Sequence, residues 1–66
     1  MKFDNAFLTK SGNVGMQFVD KAVTYTVYTD NKGKLTTSEH ASDKQKAVLA
    51  AIYKKRHVHY MPKKAH

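Results

Sequence analysis

Cysteine is absent from this chain, and acidic residues, glycine, proline and long apolar runs are scarce. Without thiols the chain cannot form disulfides, a thiolate nucleophile or the cysteine-based zinc sites of many small domains. A disulfide-free domain of this size favours a reducing, cytoplasmic setting. No run of about 18 apolar residues is present, and the first ten residues, MKFDNAFLTK, lack the apolar segment of a secretory signal. We therefore expect a soluble protein with no membrane partner.

The length of 66 residues allows one domain with one core. Such a chain buries only about 60% of the surface that it exposes when unfolded, so its stability is marginal. A partner or a second copy in a homodimer could complete the core. The shares of hydrophobic residues (41%) and charged residues (26%) are those of ordinary globular proteins. We predict a single folded domain over residues 1–61 and a mobile basic tail over residues 62–66.

The few acidic residues argue against catalysis and against a metal site. Only five carboxylates are present, and Asp20, Asp30 and Asp43 each suit a turn or a helix cap. His57 and His59 would face the same way only on a strand, and neither a carboxylate nor a cysteine lies near them in sequence to complete a tetrahedral site. We therefore predict that the protein is not an enzyme and has no catalytic residue, no cofactor and no metal.

Most of the first 38 residues show the pattern of β-strands. Residues 22–29, AVTYTVYT, are β-branched or aromatic almost throughout, and their alternation predicts Val23, Tyr25 and Val27 in the core. Thr24, Thr26 and Tyr28 should then line the more hydrated face. Weaker strands are predicted at residues 3–9, around the alternating apolar residues 14, 16 and 18, and at residues 35–38. These segments predict an antiparallel meander of three or four strands.

A helix is predicted to follow, with a recognisable start. Ser42 suits the N-cap position, and Gln45 lies three residues later, where it can complete a capping box. Asp43 would lie near the positive end of the helix dipole. Four apolar residues recur at helical spacing and should pack on one face of the sheet: Val48, Leu49, Ile52 and Tyr53. The sequence thus predicts an α+β fold, with one C-terminal helix on a small antiparallel sheet.

The end of this helix has alternative interpretations. Pro62 cannot continue a regular helix, and a straight helix would bring Arg56 into the apolar arc. A buried, unpaired arginine is costly, so either the helix frays near Lys55 or Arg56 extends its guanidinium to the rim. Residues 56–61 also alternate in polarity, with Val58 and Tyr60 on one side, so a short final strand is a further alternative.

Positive charge is concentrated towards the C-terminus. Residues 43–66 hold seven cations and one acid, a balance of +6, whereas residues 1–42 have a balance of +1. Within this region the segment KKRHVHYMPKK, residues 54–64, interleaves basic and aromatic side chains. Cations neutralise phosphates and flat rings stack on bases, so this pattern is typical of nucleic-acid binding. The structural alternative is a solvated helix end with a tail that aids solubility.

We interpret the chain as a small, non-enzymatic protein that binds nucleic acid. Phosphate contacts are predicted for Lys54, Lys55, Arg56, Lys63 and Lys64. Three further residues of the same segment should belong to this surface: His57, His59 and Tyr60. Tyr28 and Tyr53 are candidates for stacking, or for hot spots of a protein interface. The alternative is an accessory protein of the compact phage type, which binds an acidic surface on a larger protein or nucleoprotein complex and inhibits or redirects it.

Overall fold

Four antiparallel strands form one sheet, and a single helix packs against one of its faces. The computed structural model describes residues 1–60, apart from the side chain of Tyr60. The elements, in chain order, are β1 (Lys2–Leu8), β2 (Val14–Asp20), β3 (Val23–Thr29), β4 (Leu35–Thr37) and α1 (Asp43–Tyr60). The strands are ordered β1-β2-β3-β4 across the sheet. The predicted α+β fold, a meander followed by a C-terminal helix, is confirmed.

The turn between β2 and β3 is as short as a hairpin allows. Asp20 pairs with Val23, so only Lys21 and Ala22 form the loop. Both have positive φ angles, 50° and 66°, as a type I′ turn requires. This turn matches the right-handed twist of the strands, but it holds two non-glycine residues in the left-handed region.

The core lies between the helix and one face of the central strands. Its buried side chains come from β2, β3, the segment before the helix, and α1: Val14, Met16, Phe18, Tyr25, Val27, Ala41, Leu49 and Tyr53. Phe3, Leu35 and Ile52 pack around this cluster. The prediction that Tyr25, Val27, Leu49 and Ile52 contribute to one core is confirmed.

Two residues predicted for the core lie outside it. Val23 is 41% exposed, because it begins β3 at the hairpin, whereas the first turn of α1 lies over Tyr25. Val48 is 43% exposed. Neighbouring helix residues are about 100° apart, so a sheet contact centred on Leu49 and Tyr53 turns Val48 towards solvent.

The helix starts as the sequence predicts. The backbone N–H of Gln45 donates to Ser42 Oγ (3.1 Å), and the backbone N–H of Ser42 donates to Gln45 Oε1 (2.8 Å). The side-chain amide of Gln45 also donates to the Tyr25 hydroxyl at 3.2 Å. The capping box therefore caps the N-terminus of the helix, and the Gln45–Tyr25 bond attaches the first turn to the sheet.

The chain between β4 and α1 runs along the outer edge of β3. Ser38 accepts the N–H of Thr26 on Oγ (2.7 Å) and donates its own N–H to the Thr26 carbonyl (3.0 Å). The imidazole of His40 hydrogen bonds to the Thr24 carbonyl at 2.8 Å, and its centroid lies 4.9 Å from that of the Tyr25 ring, with the two planes tilted by 31°. These contacts bring the start of α1 to the end of the sheet that carries the β2–β3 turn.

The helix continues further than two of the alternatives allowed. It extends to Tyr60, so it neither frays near Lys55 nor gives way to a strand at residues 56–60. Arg56 is exposed, and its position on the helix therefore carries no desolvation cost. His57 and His59 in the last turn suit the partial negative charge at a helix C-terminus. Within residues 1–60, no helix has both the length and the apolar character needed to cross a bilayer.

Candidate functional site

The direction of α1 determines where its basic residues lie. The Tyr53 hydroxyl donates to the Val14 carbonyl at 2.8 Å and hydrogen bonds to Thr29 Oγ1 at 2.6 Å. Val14 begins β2 and Thr29 ends β3, so both lie at the end of the sheet opposite the β2–β3 turn. The loops between β1 and β2 (residues 9–13) and between β3 and β4 (residues 30–34) are at this same end. The C-terminal part of the helix therefore lies near both loops.

Beyond Tyr53 the helix extends past the strand residues that it contacts. Residues 54–60, which we call the helix arm, add about 10 Å at 1.5 Å per residue. Lys54, Lys55, Arg56 and His59 are exposed, and among residues 54–59 of the arm none belongs to the core. His57 is half-buried: its ring stacks on Tyr53 with centroids 5.1 Å apart, and Nδ1 hydrogen bonds to the Tyr53 carbonyl at 3.0 Å. The arm thus presents cations to solvent, and the His57–Tyr53 pair connects it to the core.

The two ends of the sheet differ in net charge, counted over residues 1–60. One of them, the basic end, contains the two loops and the helix arm; the other, the balanced end, contains the β2–β3 turn and the first turn of α1. The basic end has one carboxylate, Asp30, and six cations: Lys10, Lys32, Lys34, Lys54, Lys55 and Arg56. The balanced end has four of each sign: Lys2, Lys21, Lys44 and Lys46 against Asp4, Asp20, Glu39 and Asp43. The whole balance of +5 in the described chain therefore lies at one end.

The loops of the basic end are held by hydrogen bonds rather than by burial. The Asn13 side-chain amide donates to the carbonyls of Thr29 (3.1 Å) and Asp30 (2.9 Å), which connects the β1–β2 loop to the end of β3. Asp30 Oδ1 accepts the backbone N–H groups of Lys32 (2.9 Å) and Lys34 (2.8 Å). The carboxylate is therefore used to shape its own loop, and the two lysine side chains extend from a fixed backbone.

The predicted site residues have different outcomes in the structure. Lys54, Lys55 and Arg56 come together on the helix arm with His57 and His59. Tyr53 is only 5% exposed, so the structure supports its predicted packing on the sheet over stacking on a ligand or a role as a hot spot of a protein interface. Tyr28 is half-buried on the face of the sheet that the helix leaves uncovered. The Tyr60 side chain, Lys63 and Lys64 lie outside the described residues, as does the predicted tail 62–66.

Three cations of the basic end were missed by the sequence-based prediction. Lys10, Lys32 and Lys34 lie far from the C-terminal segment in sequence, and the meander brings them to the end of the sheet where the helix arm lies. Alternate hairpin loops of a meander lie at the same end of the sheet, so the predicted strands would have been enough to place these two loops together. To place the helix arm at that same end, the direction of α1 across the sheet was also needed.

Within residues 1–60, no three His, Cys, Asp or Glu side chains are grouped in a way that could hold a metal ion. No protein-family model, curated protein or solved structure matches this chain. The geometry and charge of the basic end are therefore the basis for a functional interpretation.

Proposed function

We propose that this protein binds nucleic acid non-enzymatically through its basic end. The observation that supports the proposal is the separation of charge, with six cations and one carboxylate at one end and a zero balance at the other. A surface of one sign attracts a polyanion from a distance and orients it before contact. The exposed side chains of the helix arm and the two loops can then approach several phosphates together.

The cations of the basic end also have the chemistry of phosphate contacts. Lysine places a mobile point charge near a phosphate, whereas the planar guanidinium of Arg56 can donate two parallel hydrogen bonds to one phosphate or to a base edge. Asp30, the one carboxylate nearby, accepts hydrogen bonds from backbone N–H groups of its own loop. The basic end therefore keeps a net positive charge of +5 despite this one carboxylate.

The dependence of affinity on salt tests this proposal. Each neutralised phosphate contributes a slope of about −0.7 (single strand) to −0.9 (duplex) to log K against log salt, so six contacts give about −4 to −5. The matched variants are Lys55→Ala and Lys44→Ala, which remove the same charge from exposed positions of the same helix at opposite ends. We expect Lys55→Ala to weaken binding and to make the slope shallower by a little under one, while Lys44→Ala leaves both nearly unchanged.

Two results would contradict the proposal. Equal effects of Lys44→Ala and Lys55→Ala would show that overall charge, rather than the basic end, determines binding. A parent protein that binds neither single-stranded nor duplex probes below about 100 μM at physiological salt would lack even ordinary nonspecific affinity. The acidic surface of a protein would then be the better candidate partner.

A further inference from the structure

The sheet has a face that the helix does not cover, and at the basic end this face contains an open pocket. Its volume is about 640 Å³, within the range of about 300–1,000 Å³ that is usual for small-ligand sites. Phe7, Thr26 and Tyr28 line it from the strands, and Lys10 and Asp30 line it from the two loops. The pocket therefore combines two aromatic rings, a hydroxyl group and a charged rim.

A glycine in the strand between these two residues makes room for one of the rings. Gly15 pairs with Phe7 on one side and with Tyr28 on the other, so the three residues form a row across the sheet. The Phe7 ring lies directly over Gly15, and a Cβ at this position would come closer than 3.0 Å to ring atoms. The missing side chain makes room for Phe7 to lie against the backbone. The Phe7 ring thus lies over the strand residue that pairs with Tyr28.

We propose that this pocket accepts an unpaired base of a single-stranded nucleic acid. This inference depends on the proposed function and adds the class of nucleic acid to it. Every base has a flat π-face that can stack on an aromatic ring, whereas a base inside a duplex is already stacked and paired. A base can enter a pocket on a sheet face only when it is not paired with its complementary base. The protein should therefore prefer single strands, or unpaired loops and ends, to a duplex.

Charge complementarity favours a nucleotide over a neutral aromatic ligand. Lys10 lies on the rim, and Lys32 and Lys34 extend from the neighbouring loop. Asp30 also lines the pocket and would repel a phosphate beside it, so we expect the phosphate of the bound nucleotide on the Lys10 side. The rest of the strand can continue across the cations of the basic end.

The test compares a single strand of thymidines, about 12 nucleotides long to suit the usual site sizes, with a duplex of equal length. The variants are Tyr28→Leu, which removes the ring but keeps an apolar side chain, and Tyr28→Phe, which keeps the ring. Thr24→Ala is the matched control, on the same strand and the same face but at the balanced end. Affinities are measured at one salt concentration, and thermal melting confirms that each variant is folded.

We expect the parent to bind the single strand more tightly than the duplex. Tyr28→Leu should weaken single-strand binding by about 5- to 150-fold, as the loss of one stacked base would. Tyr28→Phe and Thr24→Ala should bind like the parent, and duplex binding should not change in any variant. In the parent, NMR signals of the Phe7 and Tyr28 rings should shift as the single strand is added. This last measurement does not depend on whether a variant folds.

Other outcomes would separate this inference from the proposed function. If Tyr28→Leu binds the single strand as the parent does, while Lys55→Ala weakens it, the pocket is not the site and nucleic-acid binding by the basic end stands. Ring signals that shift with protein concentration alone would assign the pocket to a second copy and would overturn the inference. If the parent binds neither probe, both proposals fail.

Discussion

The hydroxyl of Tyr53 connects the helix to the two central strands, and its removal should reveal how much this connection stabilises the fold. Tyr53 is 5% exposed and makes two short hydrogen bonds, to the Val14 carbonyl (2.8 Å) and to Thr29 Oγ1 (2.6 Å). Because the Tyr53 hydroxyl donates to the carbonyl, the Thr29 hydroxyl donates to Tyr53. Tyr53→Phe keeps the packed ring and loses both bonds.

The expected loss in the free energy of unfolding is about 1–3 kcal/mol, since each net hydrogen bond contributes about 0.5–1.5 kcal/mol and buried partners would lose theirs. For a domain of this size a loss of about 2 kcal/mol lowers the melting temperature by about 8–16 °C. Thermal unfolding followed by circular dichroism measures this directly. A melting temperature within about 2 °C of the parent would refute the reasoning, because the two bonds would then contribute almost nothing.

Thr29→Val is the companion to this variant. It removes the Thr29 donor alone and leaves Tyr53 bonded to Val14, so the expected loss is about 0.5–1.5 kcal/mol. The double variant should cost no more than Tyr53→Phe, because both changes break the same bond and their effects cannot add. Fully additive losses would mean that the two hydroxyls do not interact.

The remaining predictions concern the core and the β2–β3 turn. Leu49 is fully buried, so Leu49→Ala should cost about 2–5 kcal/mol in urea unfolding, whereas Val48→Ala, at a position 43% exposed, should change stability by less than about 0.5 kcal/mol. Equal losses would show that the wrong helix face has been assigned to the core. Ala22→Gly should raise the stability by about 1 kcal/mol, because glycine adopts the observed φ of 66° without strain. A lower melting temperature for this variant would contradict the assigned turn.

Two features of the helix arm favour the nucleic-acid binding that we propose. As the continuation of a helix anchored at Tyr53, the arm presents its cations from a regular backbone, so less conformational entropy is lost on binding than from a disordered tail. It also lies at the same end as two loops whose backbones are held by Asn13 and Asp30. Binding energy from this end should therefore be distributed over several cations, with no single dominant contact.

Local sequence patterns were sufficient for the strands, for the start of the helix and for part of the site. Alternation in residues 22–29 and the Ser42–Gln45 pair each depend on neighbours only a few residues away, so the main strand and the helix start could be predicted. The charge balance of residues 43–66 likewise identified Lys54, Lys55 and Arg56 as candidates for the cationic surface. The main strand and the helix start result from short-range sterics and hydrogen bonds, which depend on residue types close together in the sequence.

Other features depended on how the elements pack. Val23 and Val48 are apolar residues in correctly predicted elements, yet they are exposed. The first turn of the helix lies over Tyr25, and the helix contacts the sheet through Leu49 and Tyr53. For Tyr53 the sequence allowed both packing on the sheet and stacking on a ligand, and its hydrogen bonds to two strands place it in the core. Lys10, Lys32 and Lys34 join the helix arm only because the meander and the direction of α1 bring distant segments to one end. By itself the sequence determined the strands, the start of the helix and the excess of positive charge, but not how far the helix continues; the tertiary structure decided where that charge gathers, because burial and proximity depend on long-range packing rather than on local pattern.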